Sequence, residues 1–111
     1  MQEIKAYVRE PMLDHVVDAL AAIPGLPGIA VVHLREFGHA VEDGRLVKTE
    51  MAKLEIDVPD ELIESVIETI VEHARTGEGH PGDGMVFVSE LREAVRIADG
   101  TRGDAALRRR V

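Results

Sequence analysis

The hydrophobic period of this chain switches repeatedly between two residues and three to four. The order of those switches restricts the fold more than any other feature. From Gln2 to Arg9, Ile4, Ala6 and Val8 alternate with Lys5, Tyr7 and Arg9, the pattern of a half-buried strand ended by Pro11. From Met12, Leu13, Val16, Val17, Leu20 and Ile23 recur at helical spacing with Asp14, His15 and Asp18 opposite. The run Ile23-Pro24-Gly25-Leu26-Pro27-Gly28 cannot continue that helix. Ile29 to Phe37 is mostly apolar and β-branched and reads as a second strand; Leu54, Ile56 and Val58 alternating with Lys53, Glu55 and Asp57 read as a third. Between them Gly38 to Thr49 holds the turn Glu42-Asp43-Gly44, so the two strands form a long hairpin with a loop at its tip. Pro59-Asp60-Glu61 opens a second helix, whose apolar face is Leu62, Ile63, Val66, Ile67, Ile70, Val71 and Ala74. Met85 to Ser89 is a fourth strand, Leu91 to Ala94 a helical turn, and Val95-Arg96-Ile97 a short fifth strand before the tail. The order β-α-β-β-α-β is that of an α+β, ferredoxin-like sandwich with both helices on one sheet face. One domain is expected over 1–107, followed by a basic tail, 108–111; the open sheet face calls for a partner surface.

Composition excludes several functions. Only 3% of residues are aromatic and the formal net charge is −8, so bases have no stacking platform and a phosphate backbone is repelled. No nucleic-acid partner is expected. The absence of cysteine removes disulfides, thiol catalysis and thiolate metal sites, and suits a reducing cytoplasm. No run approaches membrane-spanning length, so direct membrane insertion is not expected. Neither a carboxylate pair nor a Ser-His-Asp arrangement emerges from spacing, and the chain does not read as an enzyme.

The stretch from Arg75 to Val88 (R-T-G-E-G-H-P-G-D-G-M-V-F-V) joins the second helix to the fourth strand and carries four glycines within eight residues. Such a loop either turns the chain or lets a ligand approach backbone amides.

Several separated motifs, in order, resemble the P-II signal-transduction family. These are Ile4 to Leu20, Gly28-Ile29-Ala30-Val31 leading to Glu36-Phe37-Gly38, Lys53 to Leu62, and above all Ala74-Arg75-Thr76-Gly77, Gly82-Asp83-Gly84, Val86-Phe87-Val88 and Arg96-Ile97. The resemblance implies a homotrimer whose intersubunit clefts bind adenine nucleotides. Each cleft would join the glycine loop and the hairpin base of one subunit to the C-terminal segment of the next, and the hairpin loop would dock on a target. On that reading Gly82, Asp83 and Gly84 supply backbone donors, Arg96 clamps a phosphate or carboxylate, and Gly38, His39 and His80 contact the ligand.

The departures from the family pattern alter the expected ligand. Met85 replaces the lysine after Gly-Asp-Gly, Ala98 the second arginine near Ile97, His39 and Ala40 an arginine and a glutamine, and Met51 a further lysine. Each charge-assisted phosphate contact is worth about 1.5–3 kcal/mol. Losing several favours ADP or AMP over ATP, or no nucleotide. Tyr7, the only tyrosine, lies in the first strand, so tyrosine modification of the loop is not expected. The glycine loop also carries two extra residues, His80 among them. A membrane transporter, such as an efflux pump, is the expected regulatory target. An alternative is a metal-responsive adaptor holding a divalent ion at His39 and His80, with no nucleotide. His15 and His73 read as solvated helix residues, and the tail as a solvated end.

Overall fold

The computed structural model describes residues 1–40 and 42–108. Strands β1 (Gln2–Arg9), β2 (Ala30–His39), β3 (Leu46–Val58) and β4 (Gly84–Glu90) form one sheet in the order β2-β3-β1-β4. Every neighbouring pair is antiparallel. Helix α1 (Leu13–Ala21) follows β1, and α2 (Ile63–Ala74) follows β3, each entered through a short 3-10 turn. The helices pack on one sheet face. Ile4, Ala6 and Val8 of β1 and Ala52, Leu54, Ile56 and Val58 of β3 meet Val16 and Leu20 of α1 and Val66, Ile70 and Ala74 of α2. The ferredoxin-like α+β architecture is the one the alternating periods require.

Register explains how the sheet positions the glycine loop. Arg9 pairs with Met51, and Val8 with Gly84, so the C-terminal end of β1 lies between the hairpin and the start of β4. Glu3, Lys5, Tyr7 and Arg9 share the open face with Lys53, Met85 and Phe87. The Tyr7 and Phe87 rings meet edge to face at 6.0 Å. Leu46 to Glu50 extend past the end of β1 and pair only with β2.

Three expectations are corrected. The hairpin loop is much shorter than 38–49: Gly38 and His39 belong to β2 and Leu46 to Thr49 to β3, because the ladder continues to His39↔Leu46. The Ala40 amide then donates to the Arg45 carbonyl at 2.7 Å, and Gly44, at φ 69°, donates to the Ala40 carbonyl at 2.9 Å. Val95-Arg96-Ile97 is no strand. Val95 makes one isolated bridge to Arg102, since the chain turns back between them. Leu91 to Ala94 is irregular coil rather than a helical turn, and the segment before the basic tail closes in a short helix α3 (Asp104–Leu107). Arg108 is exposed and bonds to Glu61 at 2.9 Å and Asp104 at 2.6 Å. The remaining tail residues, 109–111, lie outside the described residues. Among the described residues no helix is long and apolar enough to cross a membrane.

Candidate functional site

A groove of about 360 Å³ lies between the hairpin and the glycine loop. Glu36, Gly38, His39, Ala40, Glu42, Val47 and Thr49 form the hairpin wall, His80, Pro81 and Gly82 the loop wall, and Arg9 the floor. Four residues singled out from sequence, Gly38, His39, His80 and Gly82, therefore meet in one place. They meet because β1 stops at Arg9 while the β2–β3 ladder runs on, leaving a notch that the glycine loop closes.

The loop is rigidly built. Pro81–Asp83 makes a single 3-10 turn with a reciprocal cap: the Gly82 amide donates to His80 Nδ1 at 2.9 Å, and the His80 amide donates to Asp83 Oδ2 at 2.8 Å. Asp83 also accepts from the Thr76 amide at 3.1 Å and from Thr76 Oγ1 at 2.5 Å, tying the two ends of the loop together. Arg9 Nη2 donates to His80 Nδ1 at 3.0 Å, and Arg9 Nε faces Asp83 Oδ1 at 3.3 Å as a charge contact. Burial alone would raise the Asp83 carboxyl pKa. Hydrogen bonds from Thr76 and His80, with the Arg9 charge, outweigh it and hold the group down at about 2. Since both contacts to His80 Nδ1 are donors, that nitrogen is the acceptor and the ring proton sits on Nε2.

This arrangement changes the roles expected for the loop residues. The Gly82 amide is engaged by His80, and the Asp83 amide donates to the His80 carbonyl at 2.9 Å. Two of the three expected backbone donors thus hold the loop's own shape. Gly84 begins β4 at φ 117°, and a Cβ there would stand 1.7 Å from the Tyr7 carbonyl oxygen, so its glycine serves close strand approach. Gly82 is confined as well, with Arg9 Nη2 only 2.7 Å from where a Cβ would sit.

Arg96 is elsewhere. It lines a second cavity of about 760 Å³ with Leu26, Ile29, Glu55, Asp57 and Arg108. Its guanidinium caps the C-terminal end of α3, donating through Nη2 to the carbonyls of Ala105 (3.0 Å), Ala106 (3.2 Å) and Arg108 (2.8 Å). Nη1 reaches Asp99 Oδ2 at 3.2 Å. Within one subunit the clamp and the loop belong to different cavities. At the positions that depart from the family pattern, Met85 stands on the open sheet face, Met51 is buried beside Arg9, and Ala40 lines the groove.

His39 and His80 share the groove, yet His80 Nδ1 already takes two donors. Among the described residues no group of three or more His, Cys, Asp or Glu is arranged to hold a metal. Sequence reasoning missed Arg9, which looked like the polar member of an alternating strand. Its position as the last residue of the alternating run, two before Pro11 and at the strand end the glycine loop must meet, is the available signal.

Comparison with known proteins agrees with this architecture. The family described as nitrogen regulatory protein P-II matches residues 1–101. The chain is 34% identical to nitrogen regulatory protein P-II of Haemophilus influenzae, over 96% of this chain and 100% of that one. It is 37% identical to nitrogen regulatory protein P-II 2 of Methanothermobacter thermautotrophicus, over 96% and 97% of the two chains. Among solved structures it superposes on Arabidopsis thaliana PII bound to citrate with a TM-score of 0.77 at 35% identity, covering 95% of this chain and 90% of the other. The chain belongs to the P-II family of nitrogen regulatory proteins.

Proposed function

We propose that this P-II protein works as a homotrimer that binds a small anionic effector, ADP or AMP in preference to ATP, in the groove between hairpin and glycine loop. The carrying observation is the convergence of Gly38, His39, His80 and Gly82 on that groove, with Arg9 beneath them. Among the described residues Arg9 is the one guanidinium lining the groove; it is partly neutralised by Asp83, and Glu36 and Glu42 line the same groove. One shared cation suits a ligand of low charge better than a triphosphate. The citrate carried by the Arabidopsis relative supports a small anion in this family. Arg96 of a neighbouring subunit completes the site, leaving its own α3 carbonyls to do so. Residues 1–107 form the effector-binding domain and 108–111 its tail. Effector occupancy shifts the hairpin tip around Glu42 to Arg45 between conformations that a membrane transporter distinguishes, in the cytoplasm and without catalysis.

Titration calorimetry against AMP, ADP, ATP and citrate tests the reading. ADP or AMP should bind more tightly than ATP, and Arg96→Ala should weaken binding tenfold or more, about 1.4 kcal/mol. Tightest binding by ATP, or a monomeric mass in light scattering, contradicts it.

A further inference from the structure

The histidine pair that the fold brings ring to ring is not His39 and His80. His15 of α1 and His73 of α2 meet across the helix layer with ring centroids 4.9 Å apart and planes inclined at 51°. Both stand on the outer side of the helices, away from the sheet core; His15 is exposed and His73 half-buried. Packing of α1 on α2 sets the spacing, with Val16 and Leu20 of α1 and Val66 and Ile70 of α2 fixed in the core below. His73 Nδ1 lies 2.9 Å from the Thr69 carbonyl oxygen. A carbonyl only accepts, so Nδ1 carries the proton and donates. That leaves Nε2 as the lone-pair nitrogen, in the tautomer an outer carbonyl sets for metal-ligating histidine.

We propose that His15 and His73 form a helix-bridging site for a divalent, imidazole-preferring transition metal ion such as Ni²⁺, Cu²⁺ or Zn²⁺, with water filling the remaining positions. Two imidazoles on one tetrahedral ion, at metal–nitrogen distances of about 2.0–2.1 Å, place their ring centroids roughly 5 Å apart. The observed centroid distance of 4.9 Å matches that spacing. Two neutral ligands leave the ion's charge uncompensated. The site should therefore be of moderate affinity. An ion across α1 and α2 clamps the helix layer, which is separate from the effector groove, so the two sites can be occupied independently.

Calorimetric titration of the full chain with NiCl₂ tests this, with ZnCl₂ and CuCl₂ in parallel. Binding at pH 7.5 with a dissociation constant on the order of 1–100 μM is expected, a window about three kcal/mol wide. His15→Ala should weaken it at least tenfold, and so should His73→Ala. The His39→Ala, His80→Ala double variant should bind as the parent does. His15 is exposed, so its variant keeps the fold, and circular dichroism checks both. Nickel should also raise the melting temperature of the parent but not of His15→Ala. Absence of binding at millimolar nickel overturns the proposal. So does binding that survives His15→Ala, or binding that disappears with the His39 and His80 substitutions.

Discussion

Replacing Asp83 by asparagine removes the negative charge around which the glycine loop is folded. The parent carboxylate accepts from Thr76 Oγ1 at 2.5 Å, from the Thr76 amide at 3.1 Å and from the His80 amide at 2.8 Å, and faces Arg9 Nε at 3.3 Å. Its pKa lies at about 2 against an ordinary 3.8, a depression worth up to about 2 kcal/mol of folding stability at 1.36 kcal/mol per pKa unit. A carboxyl depressed in the folded state stabilises fully above its unfolded pKa, and that contribution is lost as pH falls through the folded one. Parent stability should therefore drop between about pH 4 and pH 2 through this group, whereas Asp83→Asn should lack that part of the slope. At neutral pH the variant should lose about 2–3 kcal/mol, since hydrogen bonds to charged groups contribute roughly 1.5–3 kcal/mol each and members of one network are not additive. Urea unfolding at fixed protein concentration, repeated across this pH range, measures both quantities. A loss below about 0.5 kcal/mol, or identical acid slopes for the two proteins, would refute the assignment of Asp83 as the loop's anchor.

Three further outcomes follow from the same geometry. Gly84→Ala should cost about 3 kcal/mol or more, because its Cβ would collide with the Tyr7 carbonyl at 1.7 Å and φ is 117°; denaturant unfolding or the soluble yield reads this directly. Ile56→Ala, at a position with no exposed surface beneath both helices, should cost about 2–5 kcal/mol with no change in fold by circular dichroism. Arg96→Ala should release the carbonyls of Ala105, Ala106 and Arg108, and hydrogen exchange of 103–108 should quicken while the β1–β3 ladder stays protected.

How much of this was legible in the sequence differs by element. The β1, α1 and α2 periods are written in residues that the core buries, so pattern and structure agree, while β4 leans on the core only through the half-buried Val86. β3 began several residues earlier than its pattern suggested. Leu46 to Glu50 gain their strand conformation from pairing with β2, including the Arg35–Glu50 contact at 3.2 Å, and not from a buried face. Val95 to Ile97 had strand-like composition, but the turn back to Arg102 leaves room for one bridge only. The glycine loop was visible as a ligand candidate from its glycines. That its aspartate and histidine close the loop on itself depends on β1 delivering Arg9 beneath it, which rests on the Val8↔Gly84 register and not on any local motif. Arg96 stood out as a cation. Its attachment to α3 could not be read, because a four-residue helix with no buried residues leaves no period.

The central claim is that one groove, built by the hairpin and the glycine loop over Arg9, receives the effector. Amide resonance mapping of the isotopically labelled protein titrated with ADP measures this most directly. The account predicts that the largest shifts fall on Glu36 to Ala40, Val47 to Thr49, His80 to Gly82 (apart from Pro81, which has no amide) and Arg9, with smaller ones around Arg96, and that Arg9→Ala abolishes them. Shifts concentrated on the helix layer, or a pattern indifferent to Arg9→Ala, would contradict it.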